Sequence, residues 1–217
     1  TRIDTEKLPI FDILPRLKAS LAAHSSLVIS APPGAGKTTA VPPALLGEPW
    51  LEGRRIVMLE PRRLAARSAA NRISDILGEP VGRTVGYRTR TDSRISKDSR
   101  IEIVTEGIFT RQILRDPELA GVGAVIFDEF HERSIHADLG LALALDAQSA
   151  FRRDLRLIVM SATLDPEKVR CLFCDPASVS CEGRTHDVRI EHFCRNPRGR
   201  LEDAAAAAVL AALSCET

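Results

Sequence analysis

A net excess of either charge is missing from this sequence: thirty Lys and Arg stand against twenty-nine Asp and Glu, a formal charge of +1 over 217 residues. That balance excludes a histone-like basic tail and an acidic disordered chain, and leaves room for a local basic face. Lysine is scarce as well. It occupies only Lys7, Lys18, Lys37, Lys97 and Lys168, so 25 of the 30 basic residues are Arg. Arg is the better fork for phosphate and carboxylate, although an Arg-rich genome produces the same bias. No apolar run approaches the roughly 18–20 residues of a membrane span, and no charged-then-apolar leader opens the chain, so no membrane partner is expected. Cysteine is confined to the last quarter, at Cys171, Cys174, Cys181, Cys194 and Cys215. An odd, clustered set is not a disulfide framework and points to a reduced, intracellular protein. Internal repeats and long linkers are absent too.

What is present suffices for a large core: 44% of residues are hydrophobic and 27% charged, as in one large domain or one and a half average ones. Leu27–Ser30, Ile56–Glu60, Ile101–Thr105, Val122–Asp128 and Leu155–Met160 are short, rich in Val and Ile, and do not alternate. They read as strands buried on both faces. Thr38–Leu46, Arg63–Leu77, Gly107–Leu114 and Asp138–Ala147 carry helical spacing. The alternation predicts an α/β fold, a mostly parallel sheet with helices on both faces and its ligands beyond the carboxyl ends of the strands. Later the pattern loosens: a strand over Val188–Phe193, a turn at Asn196–Arg200 and an Ala-rich helix over Leu201–Leu213 are expected.

The chemistry gathers where that rule puts it. After the first strand comes Ala31-Pro32-Pro33-Gly34-Ala35-Gly36-Lys37-Thr38-Thr39. Such a glycine-rich turn lets backbone N–H groups wrap a phosphate chain and pass it to a helix N-terminus. Lys37 is placed to reach the terminal phosphates and Thr38 to ligate Mg²⁺. The strict pattern begins with Gly; Ala31 holds that place here. Val125-Ile126-Phe127 then runs into Asp128-Glu129-Phe130-His131-Glu132-Arg133. An acidic pair at the end of a buried strand is costly unless it faces a cation and water. Asp128 suits the Mg²⁺ shell, with Glu129 beside it to orient and deprotonate an attacking water. His131 can reach a neighbouring loop. Met160-Ser161-Ala162-Thr163 puts two small hydroxyls at another strand end.

Six motifs in order resemble the first half of DEAH-box RNA helicases: the loop at 31–39, Glu60-Pro61-Arg62-Arg63-Leu64-Ala65-Ala66, Gly86-Tyr87-Arg88-Thr89-Arg90, Thr105-Glu106-Gly107-Ile108, residues 128–133 and Ser161-Ala162-Thr163. The resemblance covers roughly residues 10–190, and the Phe of Asp-Glu-Phe-His is most similar to the bacterial HrpB branch. It implies a RecA-like P-loop NTPase fold, ATP and Mg²⁺ as cofactors, and a nucleotide site formed by Gly34, Ala35, Gly36, Lys37, Thr38 and Thr39, with Arg72 against the base. Metal ligation falls to Thr38, Asp128 and Glu129, and catalysis to Lys37, Asp128, Glu129 and His131. RNA is implied at Arg62, Arg63, Arg88, Arg90, Thr105, Glu106 and Gly107, and coupling at Ser161 and Thr163. Arg62 and Arg63 stand at a strand end opening a helix, where guanidinium and free N–H groups can both meet phosphate.

The arginine-finger motif of the second domain of such motors does not occur. The expectation is therefore a first RecA-like domain over 1–190 and a linker or the start of a second, partner domain over 191–217, from a bacterial cytoplasmic protein. Gly183-Arg184-Thr185-His186-Asp187-Val188 resembles the joint between the two. Two other readings stand: another P-loop NTPase, such as a transporter or DNA helicase, and a nucleotide-gated RNA-binding module with little ATPase. Cys171-x-x-Cys174 with Cys181 and His192 or Cys194 has ligand types suited to Zn²⁺. Unligated thiols are the expectation there, because no second CxxC follows.

Overall fold

The computed structural model describes residues 8–162, 171–173, 176–181, 190, 192 and 200–215. By its contacts the chain divides into two compact units, Thr1–Arg184 and Thr185–Thr217. In the first, eight strands form one sheet: β1 (Ser26–Ser30), β2 (Arg55–Glu60), β3 (Val85–Arg88), β4 (Ser93–Arg94), β5 (Ile101–Thr105), β6 (Val122–Phe127), β7 (Arg156–Ser161) and β8 (Ala177–Ser180). Among the described residues five helices accompany them: α1 (Ile10–Ala23), α2 (Lys37–Leu45), α3 (Arg63–Leu77), α4 (Glu106–Arg115) and α5 (Ile135–Ala150). In the second unit, α6 (Leu201–Cys215) is the Ala-rich helix expected there. The other features anticipated after residue 162, the joint motif and the strand over 188–193 included, lie largely outside the described residues.

The strand order is β4-β3-β5-β2-β6-β7-β1-β8, and every pairing is parallel except β3 with β4. Alternate residues of each central strand feed two separate cores. Ile29, Met58, Ile103, Ile126 and Met160 point into one with α1, α2 and α3 residues such as Leu17, Val41 and Ile73. Val28, Val57, Val104, Val125 and Val159 point into the other with Phe109 of α4 and Leu141 of α5. This two-sided burial explains why the strands read as unbroken apolar runs.

Parallel strands bring all their carboxyl ends to one edge. The chain leaves β1, β6 and β7 on one half of that edge and β2, β5 and β3 on the other. The halves meet where β2 pairs with β6.

Candidate functional site

The loop after β1 turns on two glycines in left-handed conformation, Gly34 at φ 76° and Gly36 at φ 93°. Gly36 is needed twice over, since a Cβ there would lie 2.8 Å from Leu8 Cδ1 and 3.1 Å from Ile10 Cγ2. Ala31 does not have a positive φ; its N–H continues the ladder by donating to Ser161 O at 3.0 Å. The departure from the strict pattern therefore costs no backbone geometry. Lys37 opens α2 and is 4% exposed. Its Nζ donates to Ala31 O (2.6 Å) and Pro32 O (3.2 Å), which folds the ammonium over the loop.

Thr38 Oγ1 donates to Asp128 Oδ2, joining the loop to the end of β6. Asp128 Oδ1 accepts the Glu129 N–H at 2.8 Å. Burial pushes the Asp128 carboxyl above its ordinary pKa, against the hydrogen bonds from Thr38 and Glu129. Glu60, at the end of β2, faces the same spot and is 3% exposed. Burial first, then Asp128, pushes its pKa up to about 9. Carboxylates gathered in this way repel one another until a cation joins them. The donor set of hydroxyl and carboxylate oxygens fits a hard cation such as Mg²⁺, which keeps waters and takes its remaining ligands from phosphates. Among the described residues no group of three or more His, Cys, Asp and Glu side chains could by itself hold a metal. Cys171 is an exposed free thiol and Cys181 is buried; Cys174 and Cys194 lie outside the described residues.

Glu129 sits in left-handed conformation (φ 48°, ψ 35°) ahead of a single 3-10 turn, Phe130–Glu132. Phe130 anchors that turn: it is 2% exposed, edge-on to Phe127, with the Arg133 guanidinium 5.5 Å from its ring centre. His131 Nδ1 lies 3.3 Å from Glu129 Oε2 and 3.5 Å from the Ala162 N–H. A proton on Nδ1 serves the carboxylate, and its absence serves the amide, so the tautomer links the acidic loop to the segment after β7. Ser161 is buried at the end of β7; Thr163 lies outside the described residues.

A cleft of about 400 Å³ is lined by Thr38, Thr39, Glu60, Arg62, Arg72, Glu129 and Glu132, among others. Arg72 thus faces the same space as the phosphate loop. On the other half of the edge, Arg63 and Arg90 are exposed, and Thr105, Glu106 and Gly107 are half-buried at the β5–α4 junction. Two of the arginines singled out in the sequence already hold carboxylates. Arg88 Nη2 lies 3.0 Å from the buried Glu102, which Arg55 approaches at 3.4 Å. Arg62 Nη2 donates to both oxygens of Glu132 at 2.8 Å. Glu60, Glu132 and Ser134 are the contributors the sequence did not single out as site residues.

The sequence profile of the DEAD/DEAH box helicase family, by that description, matches residues 15–172. The chain belongs to the DEAD/DEAH box helicase family. It is 46% identical over 210 residues to the ATP-dependent RNA helicase HrpB of Escherichia coli (strain K12), a match covering 97% of this chain and 26% of that protein. It is 36% identical over 197 residues to the probable ATP-dependent RNA helicase DHX35 of Homo sapiens, covering 85% of this chain and 28% of that one. The crystal structure of Escherichia coli DEAH/RHA helicase HrpB superposes with a TM-score of 0.86 at 46% identity, over 97% of this chain and 27% of that one. The RecA-like helicase fold expected from the motifs is therefore the fold observed. The chain spans about a quarter of the length of the relatives it matches. Among the described residues no helix is long and apolar enough to cross a membrane.

Proposed function

We propose that this chain is the ATP-binding RecA-like domain of a bacterial, cytoplasmic ATP-dependent RNA helicase of the DEAH class. Residues 1–190 form that domain, and 191–217 lead to a second RecA-like domain of the same protein. The observation that carries the reading is the Thr38–Asp128 hydrogen bond, which brings the phosphate loop and the acidic strand end into one site. The N–H groups of residues 34–39 hold the phosphate chain, Lys37 leaves its carbonyls for the terminal phosphates, and Arg72 lies against the base. Thr38 and Asp128, with Glu129 beside them, would hold Mg²⁺, which would supply neutralisation of charge on the phosphates. Glu129 orients the attacking water and accepts its proton. His131, Ser161 and Thr163 connect that step to movement between domains.

RNA backbone runs along the other half of the edge, against Arg62, Arg63, Arg90, Thr105, Glu106 and Gly107, with Arg88 anchored behind them by Glu102. An arginine from the second domain, worth on the order of 10³–10⁵ in rate, completes the transition state. Titration with a fluorescent ATP analogue at millimolar Mg²⁺ tests the site. Binding by the wild-type chain and none by a folded Lys37→Glu variant is the expected result. Equal binding by the two would refute it.

A further inference from the structure

The nucleotide half and the RNA half of the strand-end edge share one short segment, residues 129–134, whose stretch from Glu132 to Ser134 is fastened to the RNA half at both ends. At one end Glu132 accepts two hydrogen bonds from Arg62, which follows β2. At the other, Ser134 Oγ donates to Glu106, which follows β5, at 2.5 Å. Ser134 also caps α5 by accepting the Ala137 N–H at 3.0 Å. Arg133 lies between these fastenings and Glu129 one 3-10 turn ahead of the first, with the Glu132 N–H donating to Glu129 O at 2.9 Å; their φ are 44° and 48°. L-residues keep such angles only where the surroundings hold them. The position of Glu129 therefore depends on what Arg62 and Glu106 are bonded to.

The Arg62 side chain is 71% exposed, and the only guanidinium nitrogen bonded among the described residues is Nη2. Its remaining N–H groups face solvent, as a fork for a phosphate requires. Glu132 is the carboxylate a phosphate must compete with. An exposed pair of this kind is weak enough to exchange. Lysine could not replace Arg62 here, because one ammonium cannot present a planar fork to Glu132 and a phosphate side by side.

We infer that the Arg62–Glu132 pair is an exchangeable latch: an RNA phosphate takes the Arg62 guanidinium from Glu132, and the segment carrying Glu129 is freed to take its position on the nucleotide. Glu132 and Ser134 are positioning residues in this account. The inference rests on the RNA-binding reading above and adds to it the means by which RNA reaches the catalytic carboxylate.

The experiment is a double-mutant cycle on this chain. Fluorescence anisotropy with a labelled 20-nucleotide oligo(U) at low salt reads RNA affinity for wild type, Glu132→Gln, Arg62→Ala and the double variant, after melting curves establish that each folds. Removing Glu132 relieves Arg62 of its competitor, so Glu132→Gln binds RNA roughly two- to fivefold tighter. Arg62→Ala binds more weakly, and in that background Glu132→Gln gives no gain. A second readout is the affinity for a fluorescent ATP analogue with and without saturating RNA. The factor relating the two departs from one in wild type and moves to one in Glu132→Gln.

An equal gain from Glu132→Gln whether or not Arg62 is present would mean only that a negative charge was removed, and would overturn the latch. So would an unchanged coupling factor. Wild-type chain that binds no RNA overturns the RNA-binding reading itself, a result distinct from either. Glu132→Ala carries the same expectations should the Gln variant fail to fold.

Discussion

Two glycines two residues apart along the phosphate loop separate conformational from steric cost. Gly34→Ala places a methyl where nothing lies within 4 Å, at φ 76°. The penalty is the left-handed angle alone, partly offset by the lower entropy of the unfolded variant, a net of about 1 kcal/mol. Gly36→Ala meets the same penalty at φ 93° and two close neighbours. Leu8 Cδ1 is the end of a side chain and can swing away. Ile10 is β-branched and fully buried, and its N–H is fixed to Ala35 O at 3.1 Å, so it cannot follow. Overpacking of that kind adds about 1–2 kcal/mol, for a total of about 2–3 kcal/mol. For a domain of this size each kcal/mol moves the melting midpoint by about 2–4 °C. Thermal melts should therefore fall by about 2–4 °C for Gly34→Ala and by about 4–12 °C for Gly36→Ala. Equal shifts, or a larger one at Gly34, would refute the claim that α1 packs on this loop as described.

Arg152 donates to the carbonyls of Glu118, Leu119 and Val122 at 2.8–3.0 Å, and its side chain is 14% exposed. Arg152→Ala should cost about 2–4 kcal/mol in urea unfolding, and Arg152→Lys should recover only part of it; full recovery would count against a role for the fork. Arg152 first and Arg54 next hold the Asp154 carboxyl well below its ordinary 3.8. A lowered folded-state pKa contributes stability that is complete above the unfolded value and disappears as pH falls below it. Between pH 6 and pH 2.5 the wild type should therefore lose more of its urea midpoint than Asp154→Asn does. The difference should be small, because that side chain is 48% exposed, and parallel profiles would refute the pairing. In a chain long enough to turn ATP over, Glu129→Gln should keep nucleotide affinity within about threefold and lower turnover by roughly 10²–10⁴. Undiminished phosphate release would make the acidic pair structural.

The five central strands were legible because burial on both faces leaves an unbroken apolar run, and β5 and α3 occupy the very residues their patterns predict. Elements with mixed signals were not. Helix α1 carries Pro15 in its interior, which removes one helical donor, yet Leu17 and Leu21 still bury against the sheet. Strand β3 contains Gly86, whose Cβ would lie 2.4 Å from Arg94 O. The glycine that obscures the strand is what lets β4 approach it. Strand β8 is four residues, two of them Ser, and is recognisable only by its register with β1. The start of α5 was placed three residues late because its cap is Ser134, whose other bond goes to Glu106 across the fold.

The site was legible as a set of strand ends, since parallel strands must deliver their following loops to one edge. Which ends adjoin depends on the order β5-β2-β6-β7-β1, and crossover handedness alone does not fix that order. Hence Arg62 and Arg88 read as free basic groups, while the fold sets each beside a carboxylate distant in sequence. The two departures from the helicase patterns follow from packing. Ala31 needs no left-handed angle and fills a small cluster with Ala35 and Cys181. Phe130, where the family commonly has Ala, continues an edge-on series from Phe109 through Phe127. A small residue there would leave the 3-10 turn without an apolar anchor. Phe130 pins the first residue of the turn, which Glu129 precedes and Glu132 closes. The Glu132 N–H donates to Glu129 O at 2.9 Å, so a contact that moves Glu132 reaches the residue whose carboxylate faces the nucleotide.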